Sequence, residues 1–309
     1  MREAETSKLQ SSGGQDGASS TLRPFFEEVQ SHYDLSDEFF ALFLDPSMTY
    51  SCAYFEREAM TLEEAQQAKI DLSLGKCDLR PGLRLLDIGC GWGATAIRAA
   101  QQYGVDVVGL TLSRNQHAVA MARAAERGLR SVEFRLQGWE EFDEPVDRIV
   151  SIGAFEHFRI ARYPAFFERC RTVLRGPAAT PGRMLLHSIV LGDEKTLEPG
   201  QTLVTHEHVL FAKFIQKEIF PGGQLAPASL VERHARRGGF QVLRIHSLRP
   251  HYARTLDCWA QNLRTAQEQA IAMAGREVYD RYMHYLTGCA HYFRTGHLDV
   301  CQFTLEPAT

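Results

Sequence analysis

The run LLDIGCGWG at Leu85–Gly93 places an apolar stretch, an acid and three glycines where a strand would turn into a helix. Leu85, Leu86 and Ile88 read as a buried parallel strand. Gly89, Gly91 and Gly93 let the backbone turn tightly and approach a ligand before a helix that starts near Ala94. Such a turn alone admits NAD, S-adenosylmethionine or no ligand at all. Two side chains narrow the choice. Asp87 ends the strand where it can meet a cationic amino group, and Trp92, beyond Cys90, fills a position that a pyrophosphate loop keeps small. A ligand without phosphates, such as S-adenosylmethionine, fits these better than NAD.

Three further segments carry candidate chemistry. A dinucleotide site expects an acid about 20 residues past the glycines for the ribose hydroxyls, but GLTLSRNQ (109–116) offers Thr111, Ser113, Asn115 and Gln116. The neutral Gln116 can still bond both hydroxyls; a polar helix cap accounts for the segment equally well. In Gly138-Trp139-Glu140 an indole edge can bracket an adenine ring and a carboxylate can accept from its exocyclic amine, although such a pair is more often surface packing. IVSIGAFEHF (149–158) sets Glu156 and His157 just past a strand tip, beside the expected methyl donor. A carboxylate between Phe155 and Phe158 is costly to bury, so it has a hydrogen-bond partner, has a raised pKa, or is a helix N-cap acid.

The elements that must position these residues follow from periodicity and caps. Strands are expected at Leu83–Ile88, Asp106–Leu110, Val132–Leu136, Arg148–Ile152, Met184–Ile189, Phe240–Ile245 and Val300–Leu305. Helices at Ala94–Tyr103, Asn115–Arg127 and Tyr163–Leu174 alternate with them, which predicts a parallel sheet covered on both faces. Before the sheet, Leu22–Gln30 and Ser36–Leu44 read as short helices. Thr61–Lys76 reads as a longer one, with a Thr61/Glu64 capping box and an apolar face of Leu62, Ala65, Ala68, Ile70 and Leu72. Residues 175–182 are a loop. Residues 192–239 and 255–293 read as helices laid over the edge where ligands of such sheets bind, the place for an acceptor pocket. The stripe of Val209, Leu210, Phe211, Phe214, Ile215 and Ile219 in a helix over 208–220 packs the core and can also touch a lipid.

Composition bounds the function. The chain has 309 residues, 44% hydrophobic and 23% charged, with a formal charge of −4. That balance argues against general nucleic-acid binding, and no apolar run reaches the roughly 18 residues of a membrane span. Residues 1–20 lack the apolar core of a signal peptide and read as a flexible tail. The seven cysteines are scattered without CxxC spacing, so neither a disulfide framework nor a zinc or other metal site is expected. Both features favour a cytoplasmic location.

The chain resembles the mycolic acid cyclopropane synthases, within the cyclopropane-fatty-acid synthase family. The resemblance is carried by HYDLSDEFFALFLDPSMTYSCAYFE (32–56), MTLEEAQ (60–66), LLDIGCGWG, GLTLSRNQ, GWEEFDEPVDRIVSIGAFEHF (138–158), EIFPGGQL (218–225), PHYARTL (250–256) and YMHYLTGC (282–289), and it spans about 25–305. It implies a Rossmann-like class I methyltransferase, an α/β fold with a seven-stranded, mostly parallel sheet and a helical acceptor-side cap. After a tail over 1–21, one domain over 22–309 would hold a helical lid (22–76), the core (77–191) and the cap with closing strands (192–309).

The activity implied is methyl transfer from S-adenosylmethionine to a cis double bond of a long unsaturated acyl chain, held in an apolar tunnel. Bicarbonate would be the base that closes the cyclopropane ring, held by Glu156, His187, Tyr252 and backbone at Cys52, with Ile152 nearby. An anion beside a carboxylate is a like-charge problem, so Glu156 should be protonated or share a proton. The cofactor would meet Tyr50, Ser51, Leu85, Leu86, Asp87, Ile88, Gly89, Cys90, Gly91, Trp92 and Gly93, then Thr111, Leu112, Ser113, Arg114, Asn115 and Gln116 at the ribose, and Trp139 with Glu140 at the adenine; Tyr33 would close the lid. Cys289 matches a cysteine considered as a nucleophile in the family, and pocket lining is its ordinary role. Relatives making hydroxylated or methoxy products carry Glu where this chain has Gly153, which favours ring closure here. Arg233, Arg236, Arg237, Arg244, Arg249 and Arg254 form a solvated face or meet an acidic acyl-carrier protein. Other readings are a lipid methyltransferase of the same fold that gives a methyl-branched hydroxy, methoxy or unsaturated product, a methyltransferase for a small soluble acceptor, and a non-catalytic lipid- or cofactor-binding protein.

Overall fold

The strand and helix signals resolve into one seven-stranded sheet, ordered β3-β2-β1-β4-β5-β7-β6. This computed structural model describes residues 22–24, 35–176 and 180–308. The expected tail, most of the helix expected at Leu22–Gln30, and Tyr33 lie outside the described residues. The strands are β1 (Arg84–Ile88), β2 (Asp106–Thr111), β3 (Val132–Leu136), β4 (Arg148–Ile152), β5 (Arg183–Leu191), β6 (Phe240–Ser247) and β7 (Leu298–Pro307). Strands β1 to β5 run parallel, whereas β7 is antiparallel to both β5 and β6 between which it lies.

Alternation along each strand decides which core a residue joins. Leu85 packs on one face with Val107, Val150 and Leu185. Its neighbour Leu86 packs on the other with Val108, Ile149 and Leu186. Helices cover both faces: α1 (Asp37–Ala41), α2 (Leu62–Lys76), α3 (Ala94–Tyr103), α4 (Arg114–Glu126), α5 (Tyr163–Val173), α6 (His206–Phe214), α7 (Ala228–Arg237), α8 (Arg249–Thr265), α9 (Gln267–Ala274) and α10 (Arg276–Arg294). A third core joins the α1 segment to α8 and α10 through aromatic edges, with Phe39 on Tyr282 at 5.0 Å and Phe43 on Trp259 at 6.2 Å. This is the cap over the carboxyl ends of the strands.

Two local expectations are corrected. The helix expected over 208–220 starts at His206 and changes at Ile215 into a π-helical turn, Ile215–Ile219. The Thr61/Glu64 capping box on α2 is present, but the buried face of that helix is Ala65, Gln66, Lys69, Ile70, Ser73 and Leu74. Leu62, Ala68 and Leu72 are only half-buried. Polar partners beneath the helix, described below, pull its polar stripe inward.

The turn after β1 is set by backbone geometry. Gly89 has φ +81°, and its N–H donates to the Leu110 carbonyl at 2.9 Å. A Cβ at this position would lie 2.4 Å from that of Ala154, whereas one on Gly91, φ +54°, would meet nothing within 4 Å. Gly91→Ala is therefore expected to cost only the left-handed backbone penalty of about 1–2 kcal/mol. Gly89→Ala should cost more, read as a lower urea midpoint; equal midpoints for the two variants would show that the Ala154 contact is immaterial.

Candidate active site

A cavity opens at the carboxyl ends of β1, β2 and β4. Of the residues expected at a cofactor, Tyr50, Ser51, Asp87, Ile88, Gly89, Cys90, Gly91, Trp92, Thr111, Leu112, Gln116, Trp139, Glu140 and Ile152 line it. Leu85, Leu86, Gly93, Ser113, Arg114 and Asn115 do not. The two leucines are consumed by the cores on either side of the sheet, Gly93 packs against Phe134 and Ala120, and Ser113 accepts from the Gln116 N–H as the cap of α4.

Polar groups around this cavity lack partners where a ligand could supply them. Asp87 is 1% exposed with Oδ2 unbonded, and burial pushes its carboxyl up to about 7 against the pull of Lys69. Glu140 accepts from Arg162 through Oε1 at 2.9 Å and leaves Oε2 unbonded. The Thr111 hydroxyl donates to Gln116 Oε1 at 2.9 Å, so the Gln116 amide is left to act as a donor. Trp92 donates from its indole to Asp37 at 2.8 Å, tying the glycine turn to α1.

Lys69 was not anticipated. Its ammonium is fully buried, lines the same cavity and donates to Ser51 Oγ at 2.7 Å. Among the described residues no carboxylate lies within ion-pair distance of it, and burial lowers its pKa to about 8. The signal for it was present in the 3-4-3 spacing of Gln66, Lys69, Ser73 and Lys76, which keeps four polar residues on one face of a helix.

A second cavity of about 610 Å³ lies under the cap, and it brings together the five residues expected to be catalytic: Cys52, Glu156, His187, Tyr252 and Cys289. They come from the loop before α2, the short 3₁₀ turn after β4, β5, α8 and α10. Tyr50, Ser51, Gly153 and His157 line both cavities, so the two meet there. Away from that junction the wall is mostly apolar, with Ile189, Val209, Phe211, Ile215, Phe220, Leu256 and Phe293. His157, next to Glu156 in sequence, packs its ring edge against Phe220.

The junction is electrostatically unusual. Glu156 Oε1 accepts from the Ile189 N–H at 2.6 Å, while Oε2 is buried without a partner, and burial raises the carboxyl to about 7. His187 is 1% exposed and held well below its ordinary pKa by burial and by Lys69 and Lys76, so its ring is neutral. Burial likewise holds the Tyr252 hydroxyl protonated. Burial drives the Cys52 and Cys289 thiols far above their ordinary range. Neither thiol is poised as a thiolate nucleophile.

Among the described residues no helix is long and apolar enough to cross a membrane. A family profile described as mycolic acid cyclopropane synthetase matches residues 20–303. Cyclopropane mycolic acid synthase 3 of Mycobacterium tuberculosis is 59% identical over 288 residues, 92% of this chain and 98% of its own length. The S-adenosylmethionine-dependent methyltransferase UmaA of the same species is 55% identical over 285 residues, with the same coverage. The structure of mycolic acid cyclopropane synthase CmaA1 complexed with SAH and CTAB superposes with a TM-score of 0.87 at 56% identity, covering 92% of this chain and 99% of that one. Coclaurine N-methyltransferase, 22% identical with a TM-score of 0.75 over 91% of this chain and 82% of its own, shares the fold alone. With the sheet order, the glycine turn and this likeness over nearly its whole length, the chain belongs to the mycolic acid cyclopropane synthetase family and is an S-adenosylmethionine-dependent methyltransferase.

Proposed function

We propose that the protein methylates a cis double bond of a long, mycolic-type acyl chain and closes a cyclopropane ring with bicarbonate as the base. The observation that carries this reading is the junction of the two cavities, where the buried polar groups of Glu156, His187 and Tyr252 line one end of an apolar chamber. Bound S-adenosylmethionine supplies an electrophilic methyl group, and bicarbonate supplies a proton acceptor.

The residues do the positioning. Asp87 faces the ammonium of the methionine end and Lys69 its carboxylate. Gln116 donates to the ribose, and Glu140 Oε2 accepts from the adenine amine. With its pKa near 7, Glu156 holds a proton that it can donate to the anion, which removes the like-charge conflict. Tyr252 adds a second neutral donor. The apolar wall excludes water, and Gly153 puts no side chain into the junction, which favours proton loss over hydration of the cationic carbon. The CTAB in the CmaA1 structure, a detergent, is consistent with an acyl tunnel in such a chamber. For docking of an acyl-carrier protein, Arg233, Arg237 and Arg244 stay exposed. Arg249 and Arg254 instead bond to the chain at Thr196 and Glu58.

With a cis-unsaturated acyl substrate, the product should gain one CH₂ and lose its olefinic proton signals; a methylated product that keeps them would overturn ring closure. Glu156→Gln should lower turnover about 10²–10⁴-fold while S-adenosylmethionine still binds by calorimetry. In the folded wild type this carboxyl keeps its proton up to about 7, against 4.5 as the ordinary value, so stability falls as pH rises between those limits. The urea midpoint of the Gln variant should lack that component. Cys289→Ala should keep turnover within about ten-fold, because loss of a covalent nucleophile costs far more. Lys69→Met should weaken S-adenosylmethionine binding about 30-fold or more, the cost of orphaning a buried charge; unchanged affinity would remove Lys69 from the cofactor site.

A further inference from the structure

His187 sits at one end of a row of side chains that crosses three strands. It pairs in register with Gln302 on β7, and Gln302 pairs with His246 on β6. Above this row lies the polar stripe of α2. Lys76 Nζ donates to Gln302 Oε1 and, at 2.8 Å, to His246 Nδ1. Ser73 Oγ donates to the Lys69 carbonyl at 2.7 Å and accepts from Gln302 Nε2 at 3.0 Å. The remaining contact of Gln302 Nε2 is His187 Nδ1, at 3.2 Å. Gln302, Ser73 and His187 are all essentially without solvent exposure.

Donor and acceptor roles in this set follow one another without freedom. An ammonium only donates, so the amide oxygen of Gln302 must face Lys76 and its NH₂ must face the other way. Ser73 spends its proton on the Lys69 carbonyl and can only accept from that NH₂. The second amide N–H therefore points at His187 Nδ1, which must accept, and a neutral imidazole that accepts at Nδ1 carries its proton on Nε2. The opposite tautomer would oppose two N–H groups 3.2 Å apart, too close for a water between them, at the cost of an unmade buried hydrogen bond.

We infer that Gln302, its amide oriented by Lys76 and Ser73, is a positioning residue that sets His187 in the Nε2-protonated tautomer, so that the ring offers the acceptor cavity an N–H donor. This rests on the reading of His187 as a group that holds the anion, since a ring with its lone pair outward would repel one. The role is that of an outer partner fixing a functional histidine.

Nitrogen-15 NMR of histidine-labelled protein, without ligands, reads the tautomer directly. In the wild type the His187 proton is expected on Nε2. In Gln302→Glu, whose carboxylate keeps the Lys76 contact but can only accept from the ring, the proton should move from Nε2 to Nδ1. Turnover should then fall about 10²–10³-fold, the usual loss for one preorganised donor, with S-adenosylmethionine affinity unchanged. Gln302→Met, which removes the bias, should show a mixture of tautomers and a smaller loss. A wild-type proton on Nδ1, or a Glu variant that keeps it on Nε2, overturns the inference whatever the activity. A clean tautomer switch with unchanged turnover would keep the relay and overturn the anion-holding role of His187.

Discussion

The desolvated polar face of α2 is the constraint around which the rest is arranged. Four polar side chains, Gln66, Lys69, Ser73 and Lys76, turn inward on a helix that also buries Ala65, Ile70 and Leu74. Buried polar groups destabilise a fold unless bonded, and each of these four side chains makes at least one hydrogen bond. Gln66 donates to the carbonyls of Thr49 at 3.1 Å and Ser51 at 2.8 Å, which pins the loop between the two cavities. Lys69 reaches the side chain of the same Ser51, and the other two reach β7. A single helix thereby ties the loop at Thr49–Ser51, which borders both cavities, to β7.

That bonding contrasts with the groups left unbonded. Asp87, Glu140 and Glu156 each keep one buried carboxylate oxygen without a partner, and all three line a cavity. On α2 one buried atom, Gln66 Oε1, is also unbonded, but the three unbonded carboxylate oxygens are the ones that border the cavities, where a ligand could satisfy them. The raised pKa of Asp87 and of Glu156 has the same origin, desolvation, but its direction serves different ends. Both carboxyls are raised to about 7 and so can gain or lose a proton near neutral pH: at Asp87 a cationic partner would favour the ionised form, and at Glu156 a proposed anion would favour the protonated one.

How much was legible from residues alone depended on whether polarity and position agreed. Strands β3 and β4 match their expected limits because apolar alternation and flanking turns coincide there. The cap of α2 was readable from Thr61 and Glu64, but its inner face was not. Leu62, Ala68 and Leu72 drew the apolar stripe to a side that is half-buried, and a lysine in a helix is ordinarily solvent-facing. Glu156 could be singled out by its place between two phenylalanines past a strand tip. His187, Tyr252 and Cys52 stand in unremarkable stretches and came only through family resemblance. Gln302 had no signal, since its role depends on three strands meeting in register.

The position of β7 links the end of the chain to segments far earlier in it. It is the last strand in the chain, yet it lies inside the sheet, antiparallel between β5 and β6. Strand β6 has no partner until β7 arrives, and the contact that closes the gap spans over a hundred residues from His187 to Gln302. Folds rich in pairings of such sequence separation form slowly. The environment of His187 therefore depends on the strand that comes last in the chain, so a change in β7 reaches a cavity whose other walls come mostly from earlier segments.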